Sequence, residues 1–84
     1  MYTGMAWFVY ILQLSNWKYY IGSARNLDNR MSKHQIGWVN STKKYMPIVL
    51  LHHKNYESYE EAYNIERYLK KSKSRKVIEE FISN

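Results

Sequence analysis

Tyr10, Tyr20, Arg30, His34 and Glu66 bring two hydroxyls, a permanent cation, an imidazole and a carboxylate to one small chain. Work on a phosphate needs groups of these kinds. An arginine fork can hold phosphate through paired hydrogen bonds and steady the charge that develops on it. An imidazole exchanges a proton near neutral pH, and a carboxylate offers hard oxygen ligands to a divalent cation. The tyrosine hydroxyls can bind a phosphate or a water, or relay a proton. Each residue alone also has an ordinary explanation. Arg30 can be an exposed helix cation, and His34 can be packed at a helix end or stabilised by its dipole. Nine tyrosines occur in the chain and tyrosine favours strands, so any one pair says little by itself. Glu66 can bind metal or form a structural ion pair with a cation such as Arg30.

The pattern around these residues predicts the elements that carry them. Trp7-Phe8-Val9-Tyr10-Ile11-Leu12-Gln13-Leu14 is almost unbroken in apolar or aromatic character. Such a run fits a strand covered on both faces, near the middle of a sheet. Ser15 to Lys18 supplies turn residues, and Tyr19-Tyr20-Ile21 returns as a second strand. Gly22 is expected to end it, where the backbone needs positive φ or admits a close approach. Asn26 caps a helix running through His34, with Asp28 in its first turn. On that helix Leu27, Arg30, Met31 and His34 share an arc of roughly 100°, which sets Arg30 and His34 beside the packing face.

Gln35 to Tyr45 reads as a loop, and a third strand follows from Pro47 to His52. Ser58-Tyr59-Glu60-Glu61 is a capping box that starts a second helix. Tyr59, Ala62, Tyr63, Ile65 and Leu69 form its apolar stripe, and Glu66 falls inside that stripe. A carboxylate there demands a partner, because an isolated buried charge is costly or becomes protonated. The basic stretch 70–76 links to a short closing helix from Val77 to Ile82, while Met1 to Met5 read as a frayed lead-in. The expectation is a single α/β (α+β) domain, 1–84 with its core at about 7–82, in the order β-β-α-β-α-α. Its sheet is three-stranded, mainly antiparallel and flanked by helices.

Composition narrows the classes of function. The net charge is +6, from 13 Lys+Arg against 7 Asp+Glu, which favours a polyanionic partner. Lys43, Lys44, Lys54 and the 70–76 run, interleaved with Trp38, Tyr45 and Tyr68, could follow a nucleic-acid backbone and stack on bases. They could equally be a solvated surface. The absence of cysteine excludes a disulfide framework and thiolate zinc sites, and it suits a cytoplasmic location. No signal pattern and no apolar run of membrane-spanning length is present, so no membrane partner is expected. His52 and His53 are adjacent and would point to opposite faces of a strand, so they do not form a metal pair.

Taken together, Val9-Tyr10-Ile11, Tyr20-Ile21-Gly22, Arg30, His34 and a late helical Glu66 resemble the GIY-YIG nuclease domain. The likeness covers about Trp7 to Ile82. It is greatest to small stand-alone members, which are related to the N-terminal nuclease module of the bacterial excision-repair incision subunit. The resemblance implies a metal-dependent DNA endonuclease, a hydrolase with a place in DNA repair or recombination. It implies that Tyr10 and Tyr20 position the nucleophilic water and the scissile phosphate, and that Arg30 stabilises the pentacovalent state. His34 occupies the position four residues after that arginine, and Glu66 becomes the sole protein ligand of Mg²⁺ or Mn²⁺. Gly22 matches the motif glycine, and Ser23 stands where some members carry lysine. Gly22, Ser23, Arg25, Lys33, Lys43 and Lys44 are the expected contacts to the DNA backbone. An asparagine that some members place about a dozen residues after the glutamate is replaced here by Ile78.

The resemblance makes a geometric demand. Both tyrosines must reach one pocket, whereas an even hairpin turn would pair Gln13 with Tyr20 and send Tyr10 to the opposite face. Side-chain parity therefore predicts an odd loop or a bulge between Leu14 and Tyr19. The general base is left open among Tyr10, Tyr20 and His34. If a tyrosine serves, the metal and Arg30 would have to lower its pKa from about 10. Two other readings compete. One is a nucleic-acid-binding module of the same fold with little activity; the other is a structural domain in which Glu66 and Arg30 simply pair.

Overall fold

A computed structural model describes residues 7–83 of the protein. The lead-in at Met1 to Met5 lies outside the described residues. The first hairpin is β1, Trp7–Gln13, and β2, Tyr19–Ala24. Two helices follow, α1 at Leu27–Gln35 and a one-turn α2 at Asn40–Lys43. The chain then forms β3, Val49–Tyr56, and ends with α3, Tyr59–Ser72, and α4, Arg75–Ser83. The strand order is β2-β1-β3, all antiparallel.

The apolar run predicts its own place correctly. Val9, Tyr10, Ile11 and Leu12 are all fully buried. Burial at consecutive positions of a strand requires cover on both faces, and β1 is the central strand. Val9 and Ile11 pack with Ala62 and Leu69 of α3 and Ile78 of α4. Tyr10 and Leu12 belong to a separate cluster with Ala24 and Ile48, flanked by Leu27 and Met31 of α1. The sheet thus divides two thin cores, and the polar candidates are distributed between them.

The hairpin satisfies the parity demand. Leu14 N donates to Lys18 O at 2.9 Å and Trp17 N donates to Leu14 O at 3.0 Å, leaving Ser15, Asn16 and Trp17 as the loop. Trp17 takes left-handed φ, 68°, which closes a three-residue turn. Tyr10 faces Gly22 and Leu12 faces Tyr20, so the two tyrosines share a face. A bulge does occur, but in β3: Ile11 pairs with His52 and Leu12 with Leu50, leaving Leu51 as the extra residue.

Several boundaries differ from the pattern. β2 continues through Gly22 to Ala24, because Gly22 has no left-handed φ and stays in the ladder. The expected loop from Gln35 to Tyr45 contains α2. β3 starts later than Pro47 and extends past His52 to Tyr56. It is an edge strand whose side chains alternate with solvent, so apolar character does not mark its length. Tyr59 and Tyr63 do not join the buried stripe of α3; they are 52% and 44% exposed, with Tyr59 set edge-on to Trp7 at 4.9 Å. The basic run is partly structural, since Arg75 donates to Trp17 O at 2.6 Å and lies over the Tyr19 ring.

Both predicted caps form. Asn26 accepts from Asn29 N at 2.9 Å, and Ser58 accepts from Glu61 N at 3.2 Å. Ser58→Ala removes the N-cap of α3, the helix that carries Glu66. It is expected to lower stability by about 1 kcal/mol. That corresponds to a fall of roughly 4–8 °C in the thermal midpoint of a domain this small. An unchanged midpoint would show that tertiary packing alone holds the start of α3.

Candidate active site

Gly22 and Ser23 are consecutive residues of β2, an edge strand, and their side positions point to opposite faces of the sheet. The candidate site is built around this pair. On the α1 face, the Tyr10 ring lies directly over Gly22. A Cβ on Gly22 would stand 2.5 Å from Tyr10 Cζ and nearer still to the hydroxyl. Only glycine leaves that space. On the α3 face, Ser23 Oγ donates to Glu66 Oε1 at 2.7 Å. Glu66 is thus held on the other side of the edge strand from the Tyr10 ring, and its charge is the least of the influences that raise the Tyr10 pKa.

A chain of hydrogen bonds fixes the tyrosine side. Thr42 Oγ1 donates to the Val39 carbonyl at 3.4 Å, leaving its oxygen to accept from His34 Nδ1 at 2.9 Å. With the proton on Nδ1, His34 Nε2 is an acceptor, and the Tyr10 hydroxyl donates to it at 2.9 Å. Arg30 Nε in turn donates to the Tyr10 oxygen at 3.4 Å. Both ring nitrogens of His34, the Tyr10 hydroxyl and the Thr42 hydroxyl have partners, and His34 and Thr42 are fully buried. Tyr20 packs against this assembly, with its ring 5.3 Å from His34 and 6.3 Å from Tyr10. It also interacts with the Arg30 guanidinium.

The electrostatics favour a neutral tyrosine and a neutral histidine at rest. Burial raises the Tyr10 pKa, against the lowering effect of the Arg30 hydrogen bond. Burial lowers the His34 pKa, and the Arg30 charge lowers it further. Arg30 therefore acts on Tyr10 in the lowering direction, and burial outweighs it. Arg30 itself is held in its charged form by its hydrogen bond to Tyr10.

Among the described residues, the Glu66–Arg30 ion pair of the competing structural reading does not form. Arg30 belongs to the Tyr10 face, whereas Glu66 Oε2 pairs with Lys70 Nζ at 2.7 Å, one helical turn along α3. The Glu66 side chain is 16% exposed, at the margin of the buried stripe and not in its middle. Of the residues expected to touch a nucleic-acid backbone, Gly22 is buried under Tyr10 and Ser23 holds Glu66. Arg25, Lys43 and Lys44 are exposed and Lys33 is half-buried. Ile78 is part of the core against the sheet. Sequence reasoning missed Thr42, which sets the tautomer of His34, and Lys70 as the partner of Glu66. The i,i+4 spacing signals the second; nothing local signals the first, because Thr42 is brought in by a turn of helix that the pattern does not predict.

Fold and site together define a small α+β domain with a nuclease-type fold and a polar site at the edge of a three-stranded sheet. The GIY-YIG catalytic domain matches residues 6–78, and the chain belongs to that family. It is also similar to the solution NMR structure of a UPF0213 protein from Bacillus halodurans. That likeness has 32% sequence identity and a TM-score of 0.60, covering 94% of this chain and 84% of the other. No curated protein matches the chain. Among the described residues, no helix is long and apolar enough to cross a membrane.

Buried His34 and half-buried His52 predict a pH dependence. Burial and Arg30 lower the pKa of His34; burial, His53 and Lys54 lower that of His52, whose Nε2 has no hydrogen-bond partner among the described residues. In the unfolded chain both titrate near 6.5. Below that pH the unfolded chain binds protons that the native protein refuses, so stability falls as pH drops from about 6.5 toward the lowered native values. Urea midpoints are expected to be lower at about pH 5.5 than at about pH 7.5, a window in which histidine is the side chain that ordinarily titrates. Equal midpoints would contradict the lowered histidine pKa values.

Proposed function

We propose that the protein is a metal-dependent endonuclease that hydrolyses DNA phosphodiester bonds. The observation that carries this reading is the convergence of Tyr10, Tyr20, Arg30 and His34 on one side of Gly22, with Glu66 held by Ser23 on the other. A basic, nuclease-type domain supports a polyanionic substrate.

Glu66 would hold the cation, Mg²⁺ or Mn²⁺. Among the described residues no three His, Cys, Asp or Glu side chains form a metal-binding group, so the protein would offer this single carboxylate. That fits an ion which keeps several waters and takes further oxygens from a substrate phosphate. The Glu66 oxygens now engage Ser23 and Lys70, and Lys70, whose side chain is 55% exposed, is free to yield its place. When bound, a divalent cation supplies Lewis-acid polarisation of the phosphate and neutralises charge on the leaving oxygen.

The remaining roles fall to this chain's own groups. Arg30, permanently charged, stabilises negative charge on the phosphate as the attacking oxygen adds in line and the opposite P–O bond breaks. Tyr20, more open than Tyr10, orients the phosphate or the water. His34 is the proton acceptor. As Tyr10 passes its hydroxyl proton to Nε2, the Tyr10 oxygen takes a proton from the attacking water. The proton thus moves along a hydrogen bond that is already made, and no free tyrosinate is required.

The test is an incubation of the protein, Glu66→Ala and Arg30→Ala with labelled duplex, single-stranded, flap and branched DNAs in Mg²⁺, Mn²⁺ or EDTA. Metal-dependent cutting is expected, abolished in Glu66→Ala and slowed on the order of 10²–10³-fold in Arg30→Ala. DNA binding without cutting under any metal, equal in the parent and Glu66→Ala, would replace the enzyme with a binding module.

A further inference from the structure

Beyond Glu66, the exposed side of α3 carries a shallow groove of about 390 Å³ lined by Tyr63, Glu66, Arg67, Lys70 and Lys71. Three features of this groove point to one kind of occupant. The first is charge. Lys70 neutralises Glu66, whereas Arg67 and Lys71 form no ion pair among the described residues, so the groove carries uncompensated positive charge. The second is the aromatic wall. Tyr63 is 44% exposed at the groove although it sits on a helix whose apolar stripe could have buried it. The third is support for that wall. Tyr59 stacks on Tyr63 with centroids 5.9 Å apart and planes inclined by 28°, and Trp7 braces Tyr59 edge-on. A tyrosine held in this way is a prepared stacking surface, with cations one turn away along the helix.

The geometry points to α3 as a platform for a single-stranded nucleic-acid segment adjoining the phosphate held at Glu66. A base stacks on Tyr63, extending the Tyr59–Tyr63 stack, while Arg67 and Lys71 engage the flanking phosphates. A duplex keeps its bases stacked on one another and gains nothing from Tyr63, so the platform discriminates in favour of unpaired strand. An acidic peptide would satisfy the cations but has no reason to need a supported ring. This inference rests on the phosphodiesterase reading for its position beside Glu66. It deepens that reading by naming the strand form that the α3 side accepts.

The experiment is fluorescence anisotropy in EDTA, which suppresses cutting, with labelled single-stranded and duplex DNA. The proteins compared are the parent, Tyr63→Ala, Tyr63→Phe and Arg67→Ala, with folding checked by circular dichroism. Tyr63→Ala is expected to weaken single-strand binding by about fivefold or more, the lower range of one base–aromatic stack. Duplex binding should change by less, and Tyr63→Phe should keep the parent affinity, since stacking needs the ring and not the hydroxyl. Arg67→Ala should weaken binding to single strands and flatten its salt dependence. Undiminished single-strand binding by Tyr63→Ala, or an equal loss on single strand and duplex, would overturn the inference even if the protein cuts DNA. A selective loss in Tyr63→Ala would sustain it even if no cutting is found, separating its fate from that of the nuclease reading.

Discussion

The hydrogen bond from the Tyr10 hydroxyl to His34 is the constraint on which the rest of the site depends. A phenol buried on the central strand must satisfy its hydroxyl or incur a desolvation penalty of about 1–3 kcal/mol. Tyr10 does so with its proton in the 2.9 Å bond to Nε2 and its oxygen accepting from Arg30. That bond determines where α1 must lie and in what phase, since Arg30 and His34 have to arrive on the same helix face. It requires the space above Gly22, and it requires Thr42 to hold the other imidazole nitrogen. Ser15 N, in the hairpin loop, donates to Tyr45 O at 2.9 Å, tying the segment that carries Thr42 to the strand that carries Tyr10.

The edge position of β2 is the second organising fact. A central strand would separate the tyrosine face from the α3 face by a full sheet. At an edge, two consecutive residues serve the two faces, and the missing side chain of one lets the hydroxyl come forward. Ser23 then holds Glu66 on one face while Gly22 makes room for the Tyr10 ring on the other. The division also explains why the carboxylate pairs with Lys70 on its own helix and not with Arg30.

Much of this was legible because the signals were periodic or stereochemically sharp. The unbroken apolar run marked β1 as central, Asn26 and Ser58 marked two helix starts, and the parity argument required the odd hairpin loop that Trp17 closes. The position of Arg30 and His34 beside the sheet followed from helical phase. What was not legible depended on tertiary context. Gly22 looked like a strand end because its reason, the ring of Tyr10, lies on another strand. The exposure of Tyr59 and Tyr63 could not be read from a helical wheel, which does not say where the sheet stops. Thr42 had no local signature at all, and the polar end of β3 was hidden because an edge strand need not be apolar. Glu66 was placed in the middle of its stripe although it lies at the margin, and Lys70, one turn along the same helix, was not named as its ion-pair partner because a helical wheel does not settle which cation shares its face.

The most direct measurement is ¹⁵N NMR of the His34 imidazole across pH, which reads both its tautomer and its titration. The account predicts a proton on Nδ1, an acceptor at Nε2 that shifts in Tyr10→Phe, and a pKa below the usual 6.5 because of burial and Arg30. A proton on Nε2, or an ordinary titration indifferent to Tyr10→Phe, would contradict the proton path from which the catalytic reading is built.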